Sequence, residues 1–324
     1  MPHAPRREIQ RAGVVGAGTS GRGVARAMAA AGIEVVLVER TEGSLERAVL
    51  LLRESMDRDI ARWAMTESER DAVWSRIMGT VDPAKLNDVE FVVEAVPEDF
   101  KEKVAVLQAL SEVIPDEAPF LLNTSTLSVT ALAESLPERR RPSVIGLHFL
   151  HPVTRIPLVE LVRGRESGED AEAIARNLAS RLGKQVMEVA EYPGYVTSRL
   201  TLALINEAVN LLSEGVATRD VVDHAMKLRL SASHGPLALA DEIGLDSVHR
   251  ALESLWRELG LPQFRPAPLL RRMVNEGWLG EKTGRGFYNY DESGRRSPAE
   301  LDFTSPTLEE LLDPGAGPDA SDAD

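Results

Sequence analysis

The stretch GLHFLHP, Gly146 to Pro152, sets two imidazoles, His148 and His151, among apolar residues. A histidine changes charge near neutral pH, so one can serve as a general base and the other as a ligand contact. Two ordinary buried histidines would fit the same letters, and their surroundings have to decide. A second chemical signature lies near the start. VVGAGTSGRGVA holds Gly16, Gly18 and Gly21 in GxGxxG spacing. In that spacing the first glycine permits a tight turn, the second lets a pyrophosphate approach the backbone, and the third lets the next helix pack close to the sheet. The N-terminus of that helix offers free N–H groups to the phosphates. Glycine turns alone are common. Here an apolar strand precedes the turn, an alanine-rich helix follows, and a second strand ends in Glu39, about twenty residues beyond Gly18. A carboxylate there accepts from ribose hydroxyls and repels a 2′-phosphate, which favours NAD over NADP. Arg40, next door, works against that preference.

These groups need a frame. Ala12 to Val15, Ile33 to Arg40, Val89 to Val96, Pro119 to Ser125, SVIGLHF, IPLVELV and KQVMEVA read as strands, several apolar enough to be buried on both faces. Between them, Arg22 to Ala31, Phe100 to Val113 and Glu169 to Leu182 read as helices, and Ser44 to Met78 as a long charged helical pair. Alternating strands and helices predict an α/β Rossmann-type domain with a mostly parallel sheet over residues 8–191. After YPGY the pattern becomes helical, with glycines as stops at Gly215 and Gly277. An all-α domain over residues 192–292 is the expectation. Residues 306–324 hold an acidic segment and DPGAGPDASDAD, which read as a disordered tail.

Composition narrows the classes. The 324 residues carry a net charge of -14, which argues against a nucleic-acid surface. There is no cysteine, so thiolate nucleophiles, thiolate metal sites and disulfides are excluded. The six histidines lack HExxH spacing, so no metal is expected. No apolar run approaches the ~18 residues of a membrane helix. The basic N-terminus has no apolar stretch behind it, unlike a secretory signal. These absences point to the cytoplasm and away from a membrane.

The segments GAGTSGRGVA, VVEAVPEDFKEK, NTSTLSVT, GLHFLHPV, PLVELV, PGYVTSR, NEAVNLLSEGVAT, GPLALADEIGLD and LGEKTGRGFYNY occur in one order. Together they resemble the L-3-hydroxyacyl-CoA dehydrogenase family, including its 3-hydroxybutyryl-CoA members, over about residues 10–290. The resemblance implies NAD-dependent, reversible oxidation of a 3-hydroxyacyl thioester, CoA- or carrier-bound, in fatty acid metabolism. It implies His148 as general base and Glu160 as the carboxylate that orients it. Chemistry supports the pair, because a carboxylate on the far nitrogen fixes the tautomer and stabilises the imidazolium. The resemblance also implies Ser125 on the substrate oxygen, cofactor contacts at Glu98, Lys103 and Lys282, and a homodimer. Lys103 and Lys282 fit solvated surface lysines equally well. Ser55 and Arg62 would align with the family's CoA contacts, without a motif to anchor them.

The chain also departs from the family. His151 replaces the asparagine of HFFNP, Ser198 replaces the last asparagine of PGFIVNR, His234 stands in SHGP where the family often has PMGP, and Arg155 takes a position that is often apolar. Ser198, His151 and Arg155 are therefore candidate substrate contacts, and a more polar acyl substrate is one reading. Neutral drift is the other. Two further alternatives remain: a gulonate-type dehydrogenase of a free polar 3-hydroxy acid, and a non-catalytic nucleotide-binding relative.

Overall fold

The computed structural model describes residues 9–291 and 295–298. Contacts divide the chain into two compact units, Met1–Tyr195 and Val196–Asp324. The acidic tail, 306–324, lies outside the described residues.

The first unit runs β1 (Arg11–Val15), α1 (Thr19–Ala30), β2 (Glu34–Val38), α2 (Glu42–Ala61), α3 (Glu67–Trp74), β3 (Ile77–Thr80), β4 (Val92–Glu94), α4 (Phe100–Ser111) and β5 (Phe120–Leu122). It continues with α5 (Val129–Glu134), β6 (Val144–Phe149), β7 (Leu158–Val162), α6 (Glu169–Arg181) and β8 (Gln185–Val189). The strands form one eight-stranded sheet in the order β3-β2-β1-β4-β5-β6-β7-β8. Every pairing is parallel except β6 with β7.

The central strands bury both faces, as helices on both sides require. Ala12 and Val14, Val35 and Leu37, Leu147 and Phe149, and Val159 and Leu161 pack with α1, α2 and α6. The alternate residues Val15, Val36, Val38, Val144 and Val162 pack with α4 and α5. A residue's parity along its strand thus decides its side. His148 and Glu160 share the parity of Val144 and Val162, which puts both on the α4–α5 side.

One expectation is corrected here. Ser44 to Met78 is not helical throughout: Ile77–Thr80 leaves α3 and pairs in parallel with β2. A four-residue strand is too short to break the helical period visibly. The short α5 and the isolated antiparallel pair β6–β7 were also not foreseen as such.

The second unit contains α7 (Thr197–Ser213), α8 (Arg219–Leu230), α9 (Pro236–Ile243), α10 (Leu245–Leu259) and α11 (Pro268–Asn275). On α7 the buried residues Leu202, Ile205, Val209 and Leu212 follow helical spacing and meet Leu237, Leu252, Leu255, Phe264 and Phe287. The unit is not purely helical: β9 (Tyr288–Tyr290) and β10 (Arg296–Pro298) pair antiparallel. The motifs GPLALADEIGLD and GRGFYNY lock these parts together. Asp223 accepts from the amides of Leu237 and Ala238 and from the Tyr288 hydroxyl. Asp241 accepts from the amides of Phe287 and Tyr288 and the Tyr290 hydroxyl. Gly286 is required there, because a Cβ would lie 2.0 Å from Asp241 Oδ1.

Candidate active site

The cofactor loop is built by three glycines with three distinct roles. Gly16 sits at φ +91, and a Cβ on it would lie 2.7 Å from the Ala95 carbonyl oxygen. Only glycine takes that turn cheaply against a neighbouring strand end. A Cβ on Gly21 would lie 1.8 Å from the Gly16 carbonyl oxygen, so its absence lets α1 close on the loop. Gly18 has open space where its Cβ would be. Helices α2 to α5 are each capped by a side chain of their own, from Thr41, Thr66, Asp99 and Ser128. Helix α1 begins at Gly18 with no side-chain cap, which leaves its first N–H groups for an anion.

Glu39 closes this loop from β2. Its Oε1 accepts from the Ala17 amide at 2.6 Å, and its Oε2 from the Ser44 hydroxyl at 2.8 Å and the Arg40 amide at 3.0 Å. Burial pushes its pKa up, but the Ala17, Ser44 and Arg40 donors outweigh it and hold the carboxyl below its ordinary value. An ionised, half-buried carboxylate beside an uncapped helix and an open glycine fits a dinucleotide with a free ribose 2′-hydroxyl. Arg40 points its charge toward Glu102, 3.9 Å away, with 86% of its side chain exposed.

His148 and Glu160 are direct partners in the antiparallel ladder of β6 and β7. Partners on one face lie close enough for side chains to meet. His148 Nδ1 lies 2.7 Å from Glu160 Oε2. The imidazole is 8% exposed and the carboxylate residue fully buried. Beyond β6, a turn with a cis His151–Pro152 peptide carries His151, half-buried, and Arg155, exposed. Two anchors hold this turn. Val153 packs on Gly23 of α1, where a Cβ would lie 2.9 Å from it. Lys184 donates to the carbonyls of Val153 and Ile156 at 2.6 and 2.7 Å.

A buried charge cluster supports the loop after β5. Lys103 is wholly buried and donates to both oxygens of Glu94 at 2.8 Å, and to the carbonyls of Val96 and Asn123 at 3.3 and 3.4 Å. Its ammonium also lies 3.7 Å from Glu98 Oε2. Glu98 Oε1 accepts from the Thr124 hydroxyl at 2.7 Å, the Ser125 amide at 2.8 Å and the Thr126 amide at 2.7 Å. The Ser125 hydroxyl is 3.3 Å from the same oxygen. Burial raises the Glu98 pKa, but Lys103 and these donors prevail and keep it low. Burial prevails for Glu94, whose carboxyl is raised. Asn123 Oδ1 accepts from the Phe149 amide at 3.0 Å, which ties this loop to the strand that carries His148.

The first unit therefore joins His148 to Glu160, and Ser125 to Glu98 and Lys103. The surface alternative for Lys103 is corrected: with a carboxylate inside β4, its charge is held in the interior. Lys282 and Ser198 belong to the second unit. There Lys282 pairs with Asp246, and Ser198 stands in the first turn of α7. The Ser55 hydroxyl is engaged by Arg26 at 3.0 Å. Glu94, Asn123, Lys184 and Tyr195 were missed in the sequence. Glu94 had a signal, since an acid inside an apolar strand demands a buried cation. The others depend on contacts distant in the chain.

Residues 11–192 match the family profile described as 3-hydroxyacyl-CoA dehydrogenase, NAD binding domain. Residues 194–290 match that described as 3-hydroxyacyl-CoA dehydrogenase, C-terminal domain. The chain belongs to the 3-hydroxyacyl-CoA dehydrogenase family. A probable 3-hydroxybutyryl-CoA dehydrogenase of Bacillus subtilis is 38% identical over 285 residues, 88% of this chain and 99% of its own. Among solved structures, FadB2 of M. tuberculosis superposes with a TM-score of 0.81 at 36% identity, covering 88% of this chain and 100% of its own. The (S)-3-hydroxybutyryl-CoA dehydrogenase of Ralstonia eutropha gives 0.76 at 38% identity, with 88% and 100% covered. Like its family, the chain is an NAD-dependent oxidoreductase acting on a CH–OH group. Among the described residues, no helix is long and apolar enough to cross a membrane.

Proposed function

We propose that this dehydrogenase interconverts a 3-hydroxyacyl thioester and its 3-oxoacyl form, with His148 as the general base. The observation that carries the reading is the His148–Glu160 pair. A carboxylate at 2.7 Å from Nδ1 holds the proton on that nitrogen and leaves the lone pair on Nε2. Nε2 then takes the hydroxyl proton as the carbinol carbon is oxidised. Glu160 stabilises the imidazolium that results, and the reverse reaction returns the proton. Ser125, held by Glu98, donates to the substrate oxygen. NAD, when bound, supplies the two-electron acceptor. Gly16, Gly18 and Gly21 seat its phosphates and Glu39 its ribose, with Glu98 as a further cofactor-side group; Lys103, wholly buried, acts behind Glu98 rather than on the cofactor.

His151 and Arg155 frame the acyl group in this reading and set its preference. The second unit serves as a homodimer surface, supported by Leu200, Val221, Leu228 and Leu230 on α7 and α8, all more than half exposed. Light scattering checks the dimer.

A substrate panel tests the function: 3-hydroxybutyryl-CoA, its acyl-carrier thioester and free 3-hydroxy acids, each with NAD. Thioester turnover well above that of the free acids supports the reading. A preference for the free acids overturns it.

A further inference from the structure

We propose that Tyr195 is a positioning residue that holds the His148 imidazole in the orientation Glu160 selects. The proposal rests on the reading of His148 as the base. A single hydrogen bond from Nδ1 leaves an imidazole free to pivot about it. A second contact, on the ring itself, removes that freedom. Tyr195 supplies one: the two ring centroids are 5.8 Å apart and tilted by 56°, within the range of favourable aromatic pairs.

Three further observations separate this contact from ordinary packing. Tyr195 is 5% exposed, although it ends the first unit, next to the exposed Val196. Its backbone lies at φ 44, after Gly194 at φ 80. A bulky residue in the left-handed region is an outlier, and such residues persist where surroundings over-determine them. Its hydroxyl donates to the Leu127 carbonyl at 3.4 Å, on the loop that carries Ser125. Tyr195 therefore touches both the base and the support of the substrate-side serine. Burial, with Glu98, Glu191 and Glu160 nearby, opposes its ionisation. The phenol therefore stays neutral.

The test uses the full chain with NAD and 3-hydroxybutyryl-CoA. Tyr195→Asn removes the ring while tolerating the left-handed backbone. Tyr195→Phe keeps the ring and removes the hydroxyl. A misplaced base loses turnover without loss of binding, so kcat of the asparagine variant is expected to fall about tenfold or more. Its KM for NAD should stay unchanged, and Tyr195→Phe should recover most of kcat. If the asparagine variant does not fold, Tyr195→Gly, which takes the left-handed backbone without strain, is held to the same criteria. Unchanged kcat without the ring, a KM for NAD that rises in step with the loss, or a phenylalanine variant no better than asparagine would overturn the proposal. His148→Gln runs in parallel. An inactive His148→Gln beside a fully active Tyr195→Asn sinks the positioning role alone, whereas an active His148→Gln removes the base itself.

Discussion

His148 and Glu160 face each other across the one antiparallel pairing of an otherwise parallel sheet. Their contact depends on register. A slip of one residue would send one side chain to the α1 side and the other to the α4 side. The apolar neighbours that fix each strand's faces therefore also fix the His148–Glu160 pair. Val144 and Val162 hold one side, and Leu147 and Leu161 the other.

The glycine loop separates binding from folding. Gly18→Ala adds a methyl group where no protein atom lies within 4 Å. Thermal stability should be unchanged, while NAD affinity falls by about tenfold or more because the phosphates lose their approach. Gly21→Ala instead drives a Cβ into the Gly16 carbonyl, so stability and affinity should fall together. Calorimetry with NAD titration on both variants checks the contrast, and equal effects would count against it.

Glu39→Ala should weaken NAD binding by about tenfold, or about 1.4 kcal/mol, and should narrow the preference for NAD over NADP. Unchanged cofactor preference would show that the carboxylate does not meet the ribose.

Lys103→Met should be strongly destabilising. It leaves Glu94 buried without its cation, a change that costs about 3–5 kcal/mol. The double variant with Glu94→Gln should recover part of the loss. Denaturant midpoints measure both, and a mild effect of Lys103→Met alone would contradict a buried ion pair.

Glu98 makes an acid-side prediction. Its folded pKa lies below its ordinary value, so the folded state binds its proton less readily than the unfolded chain does. That stability is fully present above the unfolded value, about 4.3, and is lost as pH falls through the depressed folded value. Glu98→Gln should flatten the acid limb of stability. Urea midpoints at a series of pH values below about 5 read this out, and an unchanged slope would exclude the linkage.

Much of this was legible in the letters. Continuous apolar runs at Ile33 to Arg40 and SVIGLHF mark strands buried on both sides, and the glycine spacing marks the turn. The edge strand Ile77–Thr80 was hidden, because its burial depends on one neighbour and its length on four residues. The short strand β9 was hidden because Asp241 and Asp223, distant in sequence, organise its start. Tyr195 was hidden for the same reason: nothing in YPGY states that its ring will reach His148. Lys103 looked like any helix lysine, although Glu94 one strand earlier had already created the need for it.

The sharpest check is single-turnover NADH formation from 3-hydroxybutyryl-CoA by His148→Gln at saturating NAD. A loss of about a hundredfold or more, with NAD affinity unchanged, is the result expected for a general base. Turnover close to that of the unmodified protein would show that the proton leaves by another route.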